Sequence, residues 1–202
     1  MSPLALAALV ILFIYAVILH EYAHGWAAYK LGDSTAKNLG RLTLNPLSHV
    51  DPLGTVALPV LLIATGSPVV FGWAKPVPVN FMNLHNPKRD MALVALAGPL
   101  VNVVLALILS QILKIAASGV EKQIFASAII INLVLAIFNM IPIPPLDGSR
   151  LVMSVLPRPF SLLYARLENY GIFIVLLLLY LGLFDAFVWP LVDYFAKGLG
   201  VS

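Results

Sequence analysis

Two histidines and a glutamate lie close together near the start of the chain, in the segment His20-Glu21-Tyr22-Ala23-His24. On a helix, residues four positions apart project from the same face, so both imidazoles can bind one metal ion. Zinc is the metal that an H-E-x-x-H pattern of this kind holds, and the intervening glutamate can take a proton from water that the metal activates. The motif therefore predicts metal-dependent hydrolysis of a peptide bond.

The motif lies at the end of an apolar run that begins at Leu4. Spanning a bilayer core of about 30 Å takes roughly 20 helical residues, so this run spans only if the helix continues through the motif towards Lys30. Ionisable side chains in a membrane helix are costly unless they are paired, bound to metal or facing a wet cavity. We therefore expect the site to lie inside the membrane. A removable signal peptide is not expected, because the run lacks a basic N-terminal region and a small-residue cleavage site.

Composition supports a membrane protein independently of the motif. The 202-residue chain is 61% hydrophobic and 10% charged, whereas soluble domains carry about 25% charged residues. It has no cysteine, which excludes a thiolate zinc site, and its net charge of +3 gives no case for nucleic-acid binding. We expect one domain, residues 1–202, most of it transmembrane.

The predicted fold is an all-α polytopic membrane protein with about four to six transmembrane helices. A re-entrant or interfacial element and possible short membrane-associated β-strands complete the prediction. The stretch Leu53–Thr65 is the candidate for the non-crossing element, because it is short and contains Pro59. The other apolar stretches are Leu4–Leu19, Met91–Ala117, Ile124–Ile141, Phe160–Phe184 and a weaker one at Phe187–Leu199.

A third protein ligand is needed, because two histidines leave zinc under-coordinated. Asp147 is favoured because it follows the proline-rich stretch 142–145, directly after an apolar helix. Irregular backbone at membrane depth is tolerated only where it is buried in protein or lines a cavity. The alternative is an ordinary turn that ends a helix at the water interface. The remaining candidate ligands are His49, His85, Asp51 and Asp90.

Three motifs follow one another along the chain: H-E-x-x-H at 20–24, G-P-x-x-N at 98–102 and N-x-x-P-x-P-x-x-D-G at 139–148. In this order they resemble the site-2 protease family of intramembrane metalloproteases, in its compact prokaryotic branch without PDZ or CBS domains. The resemblance implies that His20, His24 and Asp147 hold one Zn²⁺ per chain. It also implies that Glu21 is the general base.

The resemblance implies roles for three further polar residues. Asn102 and Asn139 would position the substrate backbone or the developing oxyanion, although either could instead be a buried residue that hydrogen-bonds between helices. His49 would support a metal ligand or gate the site, with a helix-capping or loop role as the alternative.

The function implied by the resemblance is hydrolysis of peptide bonds within or near transmembrane segments of membrane proteins. The substrate helix would have to unwind locally, since its carbonyls are already hydrogen-bonded. One alternative is an inactive relative that only binds membrane-protein helices, but such proteins typically lack the base or a ligand. Another is a membrane metal transporter or sensor, which predicts further ligands along the helices 91–117 and 124–141, and these segments contain none.

The metal site also constrains the topology. Ligands that share one ion must lie at one membrane depth, so an even number of crossings separates the motif from Asp147. If Leu53–Thr65 does not cross, nine of the twelve Lys and Arg residues fall on one side, as the positive-inside rule requires. We therefore predict a multi-pass protein of the cytoplasmic membrane with its active site nearer the cytoplasm. The segment Val69–Asn80 could offer a strand edge to the unwound substrate, or be a simple proline-rich interfacial loop.

Overall fold

The computed structural model describes residues 2–66, 72–117 and 119–201. Within these ranges the chain folds into nine α-helices, joined by short 3-10 and π-helical turns, and contains no β-strand. The helices are α1 (Pro3–Lys30), α2 (Thr35–Asn38), α3 (Leu58–Ala64), α4 (Pro87–Ile115), α5 (Gly119–Asn139), α6 (Asp147–Val155), α7 (Arg158–Ala165), α8 (Gly171–Tyr180) and α9 (Trp189–Gly198).

Helix α1 carries the H-E-x-x-H motif and is continuous from end to end. Ser2 caps its N-terminus, where the hydroxyl accepts a hydrogen bond from the Ala5 N–H at 3.2 Å. Pro3 follows in the first turn, where a missing amide donor costs nothing. The helix runs on through the motif to Lys30, and Gly32 then reverses the chain with φ of +113°. The condition under which the first apolar run is long enough to span, a helix that continues through the motif towards Lys30, is therefore met.

Among the described residues, four helical stretches are long and apolar enough to cross a membrane. They are α1, α4, α5 and the stretch Arg158–Tyr180, in which a 3-10 turn joins α7 to α8. The apolar segment Pro52–Ala64, a π-turn followed by α3, is shorter than a span. The chain is thus an all-α multi-pass membrane protein, as predicted. Two candidate spans, α4 and α5, separate the motif from Asp147, the even number that a shared site requires.

Helix α4 occupies the centre of the molecule and packs against α1, α5 and α6. The packed faces carry small residues, and Ala16, Ala106, Ala128 and Ala136 are all buried. Small side chains let helix backbones approach closely in a membrane, where packing rather than water exclusion drives association. Val192 and Ala196 of α9, together with Val188 just before this helix, form one buried apolar cluster with residues of α4 and α5.

The possible β-strands of the sequence-based prediction are not formed in the described residues. Residues 72–80 run as extended chain without strand pairing, and 69–71 lie outside the described residues. Asp33, fully buried just after α1, fixes the end of this extended segment by accepting hydrogen bonds from Asn80 N–H at 2.7 Å and Asn83 Nδ2 at 3.0 Å. Burial raises the pKa of Asp33, but hydrogen bonds from Thr35, Asn83 and Asn80 more than offset this and leave the pKa below its usual value.

Candidate metal centre

Three side chains from two distant parts of the chain meet beside α4. His20 Nε2 lies 3.0 Å from His24 Nε2, and Asp147 Oδ2 lies 3.1 and 3.2 Å from the two nitrogens. In the part of the chain that the structure describes, these three form the one group of His, Cys, Asp and Glu side chains able to hold a metal ion. Ligand atoms around a tetrahedral ion with bonds of about 2.0–2.1 Å lie about 3.3 Å apart, so the spacing fits zinc.

Hydrogen bonds on the far side of each imidazole orient the rings towards the cluster. His24 Nδ1 lies 2.7 Å from the Val94 carbonyl oxygen, which can only accept, so the ring proton is on Nδ1 and the Nε2 lone pair faces the cluster. His20 Nδ1 lies 2.6 Å from Asn102 Oδ1. This oxygen also accepts, so the proton of His20 is on Nδ1 and its Nε2 lone pair faces the cluster as well. Two nitrogen lone pairs and a carboxylate oxygen this close repel unless a proton or a cation lies between them. The donor set therefore fits a bound divalent cation.

Gly98 on α4 keeps open the space beside the two ring nitrogens. A Cβ atom at this position would lie against His24 Nε2 and 2.6 Å from His20 Nε2, well inside the normal packing distance of about 3.5–4.0 Å. The glycine of the G-P-x-x-N motif is thus explained by the close approach of α4 to the two histidine rings.

Asp147 opens helix α6, and the irregular segment before it is held by contacts from two helices. The Tyr164 hydroxyl on α7 donates to the Pro142 carbonyl at 2.5 Å. A Cβ atom on Gly148 would collide with the Met140 carbonyl oxygen, so only glycine lets α6 start this close to the end of α5. These contacts fix the backbone from which Asp147 reaches the histidines.

Glu21, next to His20 on α1, contacts the extended segment 72–80. Its Oε2 accepts a hydrogen bond from the Val77 N–H at 2.8 Å. Arg41 holds the same segment from its carbonyl side, because its guanidinium donates to Lys75 O at 3.0 Å and Pro76 O at 3.2 Å. The backbone orientation at Val77 is therefore fixed on both sides.

The other candidate residues are not members of the cluster, although Asn102 contacts one of its histidines. Asn102 is fully buried against His20, a geometry that favours the interhelical alternative over contact with a substrate. Asn139 is half-buried at the end of α5, and its amide donates to the Leu135 carbonyl. His49 is buried at the end of a 3-10 turn, where Nε2 donates to the Thr43 carbonyl at 2.9 Å, which favours the loop role.

The remaining three candidate metal ligands, Asp51, Asp90 and His85, are not members of the cluster. Asp51 caps the π-turn Pro52–Ala57 by accepting from the Gly54 N–H at 2.7 Å. Asp90 is buried in the first turn of α4 and accepts from the Asn86 N–H at 2.8 Å. His85 is exposed.

Sequence reasoning did not identify Asn132, which is buried on α5 and hydrogen-bonds to Asn102 at 2.9 Å. The signal was present, since Asn132 is an isolated amide in an apolar run of isoleucines and leucines. Polar side chains in such helices usually bond across to a neighbour. Neither the neighbour nor the link to His20 could be inferred without the helix register.

The fold and the cluster together define a class: a multi-pass membrane protein with a His-His-Asp group between its helices. Residues 110–182 match the model of peptidase family M50. A Bacillus subtilis protein named "Putative zinc metalloprotease YwhC" is 41% identical over 196 residues, covering 92% of this chain and 85% of the relative. The chain belongs to peptidase family M50, the site-2 protease family.

Two further relatives extend the comparison across bacteria and archaea. "Putative zinc metalloprotease Rip2" of Mycolicibacterium smegmatis is 31% identical over 94% of this chain and 73% of its own length. "Zinc metalloprotease MJ0392" of Methanocaldococcus jannaschii is 28% identical over 88% of this chain and 43% of its own length. No solved structure matches the chain.

Proposed function

We propose that this protein is an intramembrane zinc metalloprotease that hydrolyses peptide bonds within or near transmembrane segments of membrane proteins. The observation that carries the proposal is that the Nε2 atoms of His20 and His24 and the Oδ2 atom of Asp147 lie within 3.2 Å of one another. Glu21 lies on the same helix as the two histidines. In this proposal the three side chains hold one Zn²⁺ and Glu21 is the general base. Asn139 remains the candidate for positioning the substrate backbone.

The chemistry divides between the ion and the protein. His20, His24 and Asp147 would hold the zinc ion, which would supply a Lewis acid to polarise the scissile carbonyl and to lower the pKa of water at the site. Glu21 accepts the water proton on a carboxylate oxygen and later delivers it to the leaving amine. The Val77 N–H donates to Oε2 at 2.8 Å and so orients the Glu21 carboxylate.

The substrate in this proposal is a membrane-protein helix that has unwound locally. The described residues offer an extended segment, 72–80, beside the base and fixed by Arg41 and Asp33. The protein lies in the cytoplasmic membrane with the site nearer the cytoplasm, because nine of twelve basic residues then fall on the cytoplasmic side. The residues between α1 and α4 lie on the cytoplasmic side of the membrane in this proposal.

Cleavage of a reporter substrate tests the proposed function. We expect purified protein in liposomes to cut single-span membrane proteins labelled at both ends. Glu21→Gln should lower the rate about 10²–10⁴-fold, because the amide cannot accept the proton, while zinc content stays at the wild-type level. Mass spectrometry of the products locates the cut. A zinc-loaded wild type that cuts no member of a broad reporter panel would favour the alternative of a relative that only binds helices.

Proline at position 77 tests the contact between the extended segment and the base. Val77→Pro removes the N–H that bonds to Glu21, so we expect slower cleavage with unchanged zinc content. Val77→Ala is the matched control, since it trims the side chain but keeps the N–H. Equal rates for the proline and alanine variants would show that the hydrogen bond has no part in the reaction.

A further inference from the structure

A chain of buried side-chain amides runs from α5 through α4 to the first histidine of the cluster. Asn132 Nδ2 lies 2.9 Å from the Ala128 carbonyl, Asn132 Oδ1 lies 2.9 Å from Asn102 Nδ2, and Asn102 Oδ1 lies 2.6 Å from His20 Nδ1. Asn102 is 0% exposed and Asn132 is 3% exposed. Each link therefore lies in a part of the protein that water does not reach.

The direction of this chain follows from its end at Ala128. A backbone carbonyl can only accept a hydrogen bond, so the NH₂ group of Asn132 must face Ala128 and its oxygen must face Asn102. Asn102 must then present its NH₂ group to Asn132, and a second contact with the Ala16 carbonyl at 3.3 Å requires the same orientation. The oxygen of Asn102 is left to face His20.

The orientation of Asn102 decides which nitrogen of His20 carries the proton. An oxygen facing Nδ1 accepts from Nδ1–H, which leaves Nε2 unprotonated and able to bind metal. If the amide of Asn102 were turned over, its NH₂ group would face Nδ1 and favour the opposite tautomer, with a proton on the metal-binding nitrogen. Because the Asn102 side chain is enclosed, no water can replace the missing acceptor.

We propose that Asn132 is a positioning residue for the metal site: through the Asn102 amide it fixes the His20 tautomer that binds the metal. The inference rests on the proposed function in one respect, that His20 is a ligand. Asn132 itself does not touch the cluster. Its effect on metal affinity is therefore transmitted entirely by Asn102.

The chain contains a matched control for this inference. Asn139 lies two turns after Asn132 on α5, and its amide also donates to the carbonyl four residues earlier, at the same distance of 2.9 Å. Asn132 differs in that its oxygen accepts from Asn102. A comparison of the two positions separates the effect of the amide chain from the general effect of replacing an asparagine in α5.

The experiment is a zinc titration of the full chain in detergent, in competition with a chromophoric chelator. Asn132→Leu removes the acceptor for Asn102, and we expect zinc affinity to fall about 10–100-fold, the usual loss when a partner behind a metal ligand is removed. Asn132→Asp keeps an acceptor oxygen and should recover most of the affinity. Asn139→Leu should leave the zinc affinity unchanged, because the role proposed for Asn139 is towards the substrate and the titration contains no substrate. Asn132→Ala replaces the leucine variant if that protein is not monodisperse.

A double variant distinguishes positioning from simple loosening of the α4–α5 contact. If Asn132 acts through Asn102, then Asn102→Ala combined with Asn132→Leu should bind zinc no more weakly than Asn102→Ala alone. The inference would be overturned if the losses of zinc affinity from the two substitutions multiplied in the double variant. It would also be overturned if Asn132→Leu and Asn139→Leu lost equal amounts of zinc affinity. In both cases zinc binding by the wild type would leave the proposed function intact. A wild type that binds no zinc would overturn the proposed function, and the inference with it.

Discussion

Asp147→Ala is expected to remove most of the bound zinc, from about one ion per chain to less than about a tenth of that after dialysis. The carboxylate is the only ligand in the proposed trio that does not come from α1, and it lies 3.1–3.2 Å from both histidine nitrogens. Without it, two imidazoles remain, and an ion held by two protein ligands is bound far more weakly than one held by three. Metal analysis of the purified variant measures the loss.

Two variants complete this experiment. Asp51→Ala removes a carboxylate that the sequence also offered as a ligand, but that caps a π-turn, so its zinc content should match wild type. Glu21→Gln should also retain zinc, because the base is not a ligand. If Asp147→Ala kept its zinc, the third ligand would lie elsewhere, and the argument for an even number of crossings would lose its basis.

Gly98→Ala is expected to weaken zinc binding at least about 100-fold and to abolish cleavage. The added methyl group would lie against His24 Nε2 and 2.6 Å from His20 Nε2, in the space towards which both lone pairs point. Helix α4 cannot move away easily, because it packs against α1, α5 and α6 at once. The zinc titration described above measures the effect.

The same substitution should not destabilise the helix itself. Replacing glycine by alanine inside a helix usually stabilises it by about 1 kcal/mol, so loss of zinc from a well-folded Gly98→Ala protein would separate a local clash from unfolding. Gly198→Ala in α9 is the control, because a Cβ atom there meets nothing within 4 Å. Wild-type zinc affinity in Gly98→Ala would contradict the close approach of α4 to the ligands.

Local patterns in the sequence were sufficient to predict which three residues meet in the cluster. The four-residue spacing of His20 and His24 holds on any α-helix, whatever the helix packs against. Asp147 could be singled out because prolines force irregular backbone next to an apolar helix. The segment Leu53–Thr65 could be separated from the spans by its short length and by Pro59 inside it. Each of these inferences depends on covalent geometry or on membrane thickness rather than on tertiary contacts.

The supporting contacts could not be predicted because they depend on how separate elements dock. The Asn102 amide could have faced a substrate, and only the register of α4 against α1 and α5 turns it to His20 and Asn132. The Val77 amide reaches Glu21 because Arg41 and Asp33 fix the extended segment. A pattern of residue types carries no information on these long-range distances.

His24 and Asp147, two members of the cluster, are 123 positions apart in the sequence, and this separation has a consequence during synthesis of the protein. A growing chain that has emerged as far as α5 already contains both histidines and Glu21, yet it lacks the Asp147 carboxylate. In the proposed function, hydrolytic competence would therefore arise only when the last third of the protein is made and α6 docks on α4. Until then, the nascent chain of the proposed protease could not cut neighbouring proteins in the membrane.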